Sequence, residues 1–178
     1  DINKDYITSN DKNSTKAINK LQVLTNTLTA NINTDDTSQS ITTEDLFKSI
    51  SKTIESVVTI DDDADDDSDD GDTDNIPSFD LSDTSNITNV INTIQSDNTD
   101  IQIEDTVVQN INTFVEQVNS KIDEISNNPE SNFDDIFEET IKITVASNEL
   151  FSGEDAIDFT SEVVSDINTI IDTVETNA

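Results

Sequence analysis

The stretch that decides the fold runs from Glu104 to Asn127 and has the sequence EDTVVQNINTFVEQVNSKIDEISN. Its apolar residues recur at spacings of one, three or four, at Val107, Val108, Ile111, Phe114, Val115, Val118, Ile122 and Ile125. This period matches one face of an α-helix, whereas a half-buried strand would alternate every second residue. Valine, isoleucine and threonine favour strands, so burial against other elements must stabilise the helix. The stretch therefore predicts a long helix within an all-α bundle.

Two amphipathic helices are expected before it, joined by a short polar linker. The first runs from about Thr15 to Asn31. Thr42, three residues before Asp45, resembles a capping box that begins the second helix. A single apolar stripe is expected along this second helix, formed by Leu46, Phe47, Ile50, Ile54, Val57 and Val58. Because the connection is short, the pair is predicted to form an antiparallel hairpin within residues 1–60.

A four-helix unit is expected over residues 79–178, which gives about six helices in all. Ser82 or Asp83 caps the third helix, the stretch above forms the fourth, and Ser131 caps the fifth. The sixth carries the apolar or small residues Ala156, Ile157, Thr160, Val163, Val164, Ile167, Ile170, Ile171 and Val174. The apolar faces of the fourth and sixth helices are expected to form the core.

Composition limits the classes of function and partner. The 178 residues include 8 Lys plus Arg against 40 Asp plus Glu, for a formal net charge of −32. Such a surface repels nucleic acid and anionic membranes over a Debye length of about 8 Å, whereas it attracts cations. The chain has no histidine and no cysteine, which excludes Ser-His-Asp and Cys-His catalysis as well as haem and iron–sulfur ligation. We therefore expect a non-enzymatic protein that binds neither nucleic acid nor anionic membrane.

An acidic stretch at residues 61–74, DDDADDDSDDGDTD, interrupts the helical pattern. Adjacent carboxylates repel and aspartate is a poor helix former, so residues 61–78 are predicted to form a long acidic loop, either a linker or a calcium loop. Calcium takes about six to eight oxygen ligands, and aligning Gly71 with the sixth position of an EF-hand loop gives a set of candidates. These candidate metal ligands are Asp66, Ser68, Asp70, Asp72 and Asp74. Pro77 stands where an EF-hand needs glutamate, so the loop is incomplete.

The acidic stretch resembles the aspartate-rich repeats of the thrombospondin type 3 kind, which are calcium-binding linkers in large bacterial surface proteins. Residues 67–77, DSDDGDTDNIP, keep the aspartate density, the glycine and the Ile-Pro of such repeats. The doubled aspartates depart from their Asp-x-Asp-x-Asp-Gly alternation. The resemblance implies weak binding of calcium or another divalent cation.

The helical parts are similar to segments between repeat domains in large secreted calcium-binding proteins and adhesins of bacteria. Leu81-Ser82-Asp83 and the run VVQNIN at 107–112 carry this similarity. It implies a structural or interaction domain of a secreted or cell-surface protein, whose partners are a larger parent protein or further copies of itself.

Two alternatives stay open. The acidic stretch is also compatible with a solvated linker that binds no ligand. The chain as a whole is also compatible with a self-assembling subunit of an extracellular filament or surface layer, in which some apolar stripes pack between chains. Paired carboxylates such as Glu138 and Glu139 are expected to lie on a solvated helix face.

Overall fold

The computed structural model describes residues 12–32, 40–58, 79–130, 132–151 and 159. These residues are all-helical and contain no strand, as the sequence predicts. The helices are α1 (Lys12–Ile32), α2 (Thr43–Val58), α3 (Thr84–Asp97), α4 (Asp105–Asn127) and α5 (Phe133–Glu149). The predicted sixth helix and the acidic stretch lie outside the described residues, so both stay predictions.

The helices share one apolar core. α1 packs mainly against α4 and α5, α2 packs against α3, and α4 also contacts α3 and α5. α1 and α2, expected to pair as a hairpin, make few contacts with each other. Side chains from all five helices enter one hydrophobic cluster, and the predicted stripe of α4 supplies Val107, Ile111, Phe114, Val115, Val118 and Ile122 to it.

The predicted capping residues begin α2 and α3. The backbone N–H of Asp45 donates to the Thr42 hydroxyl at 3.1 Å, and the Asp45 carboxylate accepts from the Thr42 backbone N–H at 3.3 Å. This reciprocal pair is the capping box that the sequence predicts. At α3 the Asp83 carboxylate accepts from the backbone N–H of Ser85 at 2.8 Å, so Asp83 rather than Ser82 is the cap.

The cap of α5 differs from the prediction. Asn132, not Ser131, is the N-cap, and its side-chain oxygen accepts from the backbone N–H groups of Asp134 at 2.8 Å and Asp135 at 3.1 Å. Serine and asparagine are about equally good caps, so composition alone does not choose between neighbouring candidates. The helix begins one residue later than the serine cap requires.

The predicted apolar stripe of α2 is wrong at two positions. Leu46 and Ile50 are buried, but Phe47 is 44% exposed and Ile54 is 37% exposed. The polar Thr53 takes the buried position beside Ile54, because its hydroxyl donates to the backbone carbonyl one turn earlier at 2.8 Å. A hydroxyl that has a hydrogen-bond partner can be buried at little cost in free energy. The buried face of α2 therefore includes Thr53 and excludes Ile54.

Candidate functional site

The five predicted calcium ligands, Asp66, Ser68, Asp70, Asp72 and Asp74, lie outside the described residues. The described chain on either side of them is α2, which ends at Val58, and the segment 79–83, which leads into α3. Both of these flanking elements are attached to the bundle by polar side chains. These two attachments are the described part of the candidate site.

The attachment at 79–83 centres on a buried lysine of α1. The Lys20 ammonium donates to Asp80 Oδ1 at 2.9 Å, to the Ser82 hydroxyl at 2.8 Å and to Asp123 Oδ2 at 2.5 Å. Its side chain is 6% exposed, whereas those of Asp80 and Asp123 are 53% and 23% exposed. Lys16 adds a second cation, 3.3 Å from Asp123 Oδ1. One buried ammonium thus joins α1, α4 and the segment that follows the acidic stretch.

Amide side chains fix the backbone of the same segment. The Asn86 side-chain amide donates to the Asp80 carbonyl at 2.9 Å, and the Asn119 amide donates to the Leu81 carbonyl at 2.8 Å. The Ser82 backbone N–H donates to the Asp80 carboxylate at 2.9 Å. Because both its side chains and its carbonyls are bonded, the segment is held in place along its length.

The attachment at α2 joins this helix to α3. The Lys52 ammonium lies 2.6 Å from both carboxylate oxygens of Asp97. The hydroxyls of Thr53 and Thr93 are 3.1 Å apart on the same interface. The helix that precedes the acidic stretch is therefore packed on the helix that follows it.

The environment keeps the carboxylates of these flanking residues ionised. Burial acts to raise the pKa of Asp80, but the Ser82 backbone N–H and the Lys20 ammonium outweigh it, so that this pKa lies below its ordinary value. The hydroxyl and backbone N–H of Ser85 likewise lower the pKa of Asp83. Ionised carboxylates attract cations, whereas a general acid near neutral pH needs a raised pKa.

A second feature is an open groove between α4 and α5, with a volume of about 850 Å³. It is lined by Lys121, Glu124, Ile125, Asn127, Asn128, Glu139, Lys142 and Ile143. The two lysines of the rim pair with carboxylates of their own helices, Lys121 with Glu124 at 3.1 Å and Lys142 with Glu138 at 2.9 Å. The hydrogen bond from Lys142 lowers the pKa of Glu138. The groove thus has an apolar floor and a mixed, charged rim.

Among the described residues, no group of three or more His, Cys, Asp or Glu could hold a metal ion. No helix in the described ranges is long and apolar enough to cross a membrane. The chain matches no protein-family model, no curated protein and no solved structure.

Sequence reasoning missed the Lys20 network. A signal was present, because Lys20 precedes Leu24 and Leu28 by one and two helical turns and so shares their buried face. Its partners Asp80 and Asp123 are distant in sequence, and nothing in the spacing of 40 acidic residues singles them out.

Proposed function

We propose that this chain is a non-enzymatic structural or interaction domain of a secreted bacterial surface or matrix protein. In this proposal the acidic stretch 61–74 binds calcium weakly, through Asp66, Ser68, Asp70, Asp72 and Asp74. Weak here means an affinity of about 0.1–1 mM, as in extracellular calcium modules. Calcium then stiffens the connection between α2 and α3.

The observation that carries this proposal is the distribution of the lysines. Five of the eight lysines pair with carboxylates outside the acidic stretch: Lys16, Lys20, Lys52, Lys121 and Lys142. The stretch itself contains ten aspartates among fourteen residues. The three remaining lysines are too few to neutralise ten carboxylates, so cations from solution must supply the balance. A divalent cation brings two charges to one position and prefers oxygen ligands of this kind.

The attachments described above explain why such binding would affect the structure. α2 and α3 contact each other directly, so the two described helices that flank the acidic stretch are held together whether or not a cation is bound. The entropy cost of closing the loop is therefore already met when the cation arrives. Relief of the repulsion between the aspartates would then act on a connection between two elements that are both attached to the bundle.

Proton-transfer chemistry finds little support in the described carboxylates. The pKa values that depart clearly from ordinary ones are lowered, at Asp45, Asp80, Asp83 and Glu138. Each is lowered by hydrogen bonds from neighbouring residues, which stabilise the charged form. These groups cap helices or form ion pairs, which are structural roles.

A calcium titration of the full chain tests the proposal, by calorimetry with parallel far-UV circular dichroism and size measurement. Magnesium and an equal ionic strength of sodium chloride are the controls. We expect saturable heat with gained helix or a smaller radius. A response no larger than that of matched ionic strength would overturn the calcium proposal and leave a solvated linker.

A self-assembling subunit is the second candidate, and the exposed apolar side chains favour it. On α2, Phe47 and Ile54 lie two turns apart, and on α5, Ile141 and Val145 lie one turn apart and are 36% and 48% exposed. Large particles that grow with protein concentration in the same titration would support assembly. A Phe47→Ser variant should then assemble more weakly, and unchanged growth would exclude this face.

A further inference from the structure

α1 and α5 are neighbouring helices joined by polar side chains. The Asn19 side-chain amide donates to the Thr140 hydroxyl at 3.0 Å, and the Thr144 hydroxyl donates to Asn19 Oδ1 at 3.5 Å. Further along α1, the Asn26 amide donates to Asn148 Oδ1 at 2.6 Å. Because these contacts advance toward the C-terminal end of both helices, α1 and α5 run parallel.

The parallel arrangement places three exposed aliphatic side chains on one side of the α1–α5 pair. Ile18 immediately precedes the contact residue of α1, whereas Ile141 and Val145 immediately follow the two contact residues of α5. One residue turns about 100° around a helix, so in parallel neighbours a backward step on one and a forward step on the other lead to the same side. The three side chains are 40%, 36% and 48% exposed. α4 lies on the opposite side, where Lys20 bonds to Asp123.

Carboxylates lie at both ends of this aliphatic face along α5. An exposed stripe of α5 consists of Asp134, Glu138, Ile141, Val145 and Glu149. Their spacings of four, three, four and four residues keep them on one side of the helix. The single lysine of α5, Lys142, lies beside the stripe and already pairs with Glu138 at 2.9 Å. The face therefore has an aliphatic centre between negatively charged ends.

We propose that this face binds a basic amphipathic helix of a partner protein, apolar at its centre and carrying lysine or arginine at both ends. Three exposed carboxylates outnumber the one lysine beside them, so charge complementarity selects a cationic partner. A second copy would bring the same carboxylates and a further net charge of −32, so electrostatic repulsion disfavours it.

The shape of the face favours a helix as the occupant. The seam between two neighbouring helices accepts the ridge of side chains along a third helix, with apolar residues one turn apart as anchors. The stripe from Asp134 to Glu149 is about 22 Å long, which a helix of about sixteen residues spans.

A synthetic peptide of this length probes the face on the full chain. The peptide carries leucines along one helical face and lysines in its first and last turns, and a scrambled peptide has the same composition and charge without an apolar face. Fluorescence anisotropy at physiological salt should show at least about tenfold tighter binding of the first peptide, because only it can cover the aliphatic centre. Equal affinities would overturn the proposal, since net charge alone would then explain binding.

Two pairs of apolar substitutions locate the binding. Ile141→Ser with Val145→Ser should weaken binding of the amphipathic peptide about tenfold, because both anchors of α5 are lost. Phe47→Ser with Ile54→Ser is the matched control, since these residues of α2 are 44% and 37% exposed but lie outside the face. Circular dichroism verifies that both variants fold. Unchanged affinity in the control supports the proposal, and equal weakening in the two variants would overturn it.

Charge substitutions test the ends of the face. Asp134→Asn with Glu149→Gln should weaken binding several-fold, and more at low salt than at high salt. Glu44→Gln with Asp100→Asn removes the same net charge from exposed positions elsewhere and should have a smaller effect. Equal effects of the two pairs would contradict binding at this stripe.

Sedimentation of the chain without peptide tests whether a second copy is the occupant instead. Self-association that disappears in the variant with Ile141→Ser and Val145→Ser would assign the face to a second copy and overturn the proposal, whereas monomers in both chains support it. The inference rests on the interaction role proposed above but not on calcium, and all these measurements are made without calcium. A failure here therefore leaves the calcium titration unaffected, and a failure of that titration leaves this face unaffected.

Discussion

Replacing Lys20 by methionine isolates the contribution of the buried ammonium that holds segment 79–83 to the bundle. Methionine keeps an unbranched, flexible side chain of similar length, so packing against α4 is largely retained. What is lost is the set of three hydrogen bonds from Nζ to Asp80, Ser82 and Asp123. The carboxylates of Asp80 and Asp123 stay behind with one cation fewer.

The expected loss follows from how buried each partner is. Removing one member of a fully buried ion pair costs about 3–5 kcal/mol, because the other charge stays uncompensated. Here the lysine side chain is 6% exposed, but those of Asp80 and Asp123 are 53% and 23% exposed. Water can therefore solvate the abandoned carboxylates in part, and we expect Lys20→Met to lose about 2–3 kcal/mol of unfolding free energy.

Lys52→Met is the matched control, since it removes the same charge from an ion pair between α2 and α3. The Lys52 side chain is 45% exposed and that of Asp97 is 25% exposed, so this pair is worth about 0–1 kcal/mol. Urea unfolding followed by circular dichroism measures both variants at equal ionic strength. Equal losses in the two variants would refute the reasoning, because the effect would then come from net charge alone.

Three further perturbations test the fold. Phe159→Ala should lose about 3–5 kcal/mol of unfolding free energy in the same urea assay, because the ring is buried between two aromatic neighbours. Phe47→Ala should lose less than about 0.5 kcal/mol, because Phe47 is exposed. Similar losses in the two variants would contradict the described burial. Thr42→Ala removes the capping box of α2 and should cost about 1 kcal/mol by thermal unfolding; an unchanged midpoint would contradict the cap. Folding lowers the pKa of Asp83, so the ionised carboxylate stabilises the folded state. This stabilisation is complete above the pKa of an unfolded aspartate, about 4, and it is lost as the pH falls through the lower pKa of the folded state. Asp83→Asn keeps the capping oxygen, so stability should stay near wild type at pH 7 and fall less on acidification; an identical pH profile would exclude this role.

Helical periodicity is sufficient to predict the five described helices, and α4 shows why. Its apolar residues keep the 3.6-residue period over six turns, so the buried face could be identified without knowing its neighbours. On α2 the same reasoning placed Phe47 and Ile54 on the buried face, yet both are exposed. There apolar residues occur on both sides of the helix, and packing against α3 selects between them.

The polar attachments could not be predicted from spacing because their partners are distant in the chain. Lys20 meets Asp80 and Asp123 only when α1 packs beside α4, and 40 acidic residues offered no reason to choose those two. The capping box of α2 could be predicted because its two partners, Thr42 and Asp45, are only three residues apart, so both can be recognised within one short stretch of sequence. Local hydrogen bonds are therefore easier to predict from sequence than the long-range ones that attach segment 79–83 to the bundle.

Calcium calorimetry on two four-charge variants tests the central claim most directly. One variant carries Asp66→Asn, Asp70→Asn, Asp72→Asn and Asp74→Asn. The other neutralises the same number of charges outside the stretch, by Glu44→Gln, Asp100→Asn, Glu116→Gln and Glu130→Gln. We expect the heat of calcium binding to persist in the second variant and to be lost in the first. Equal heat in both variants would contradict a site in the acidic stretch.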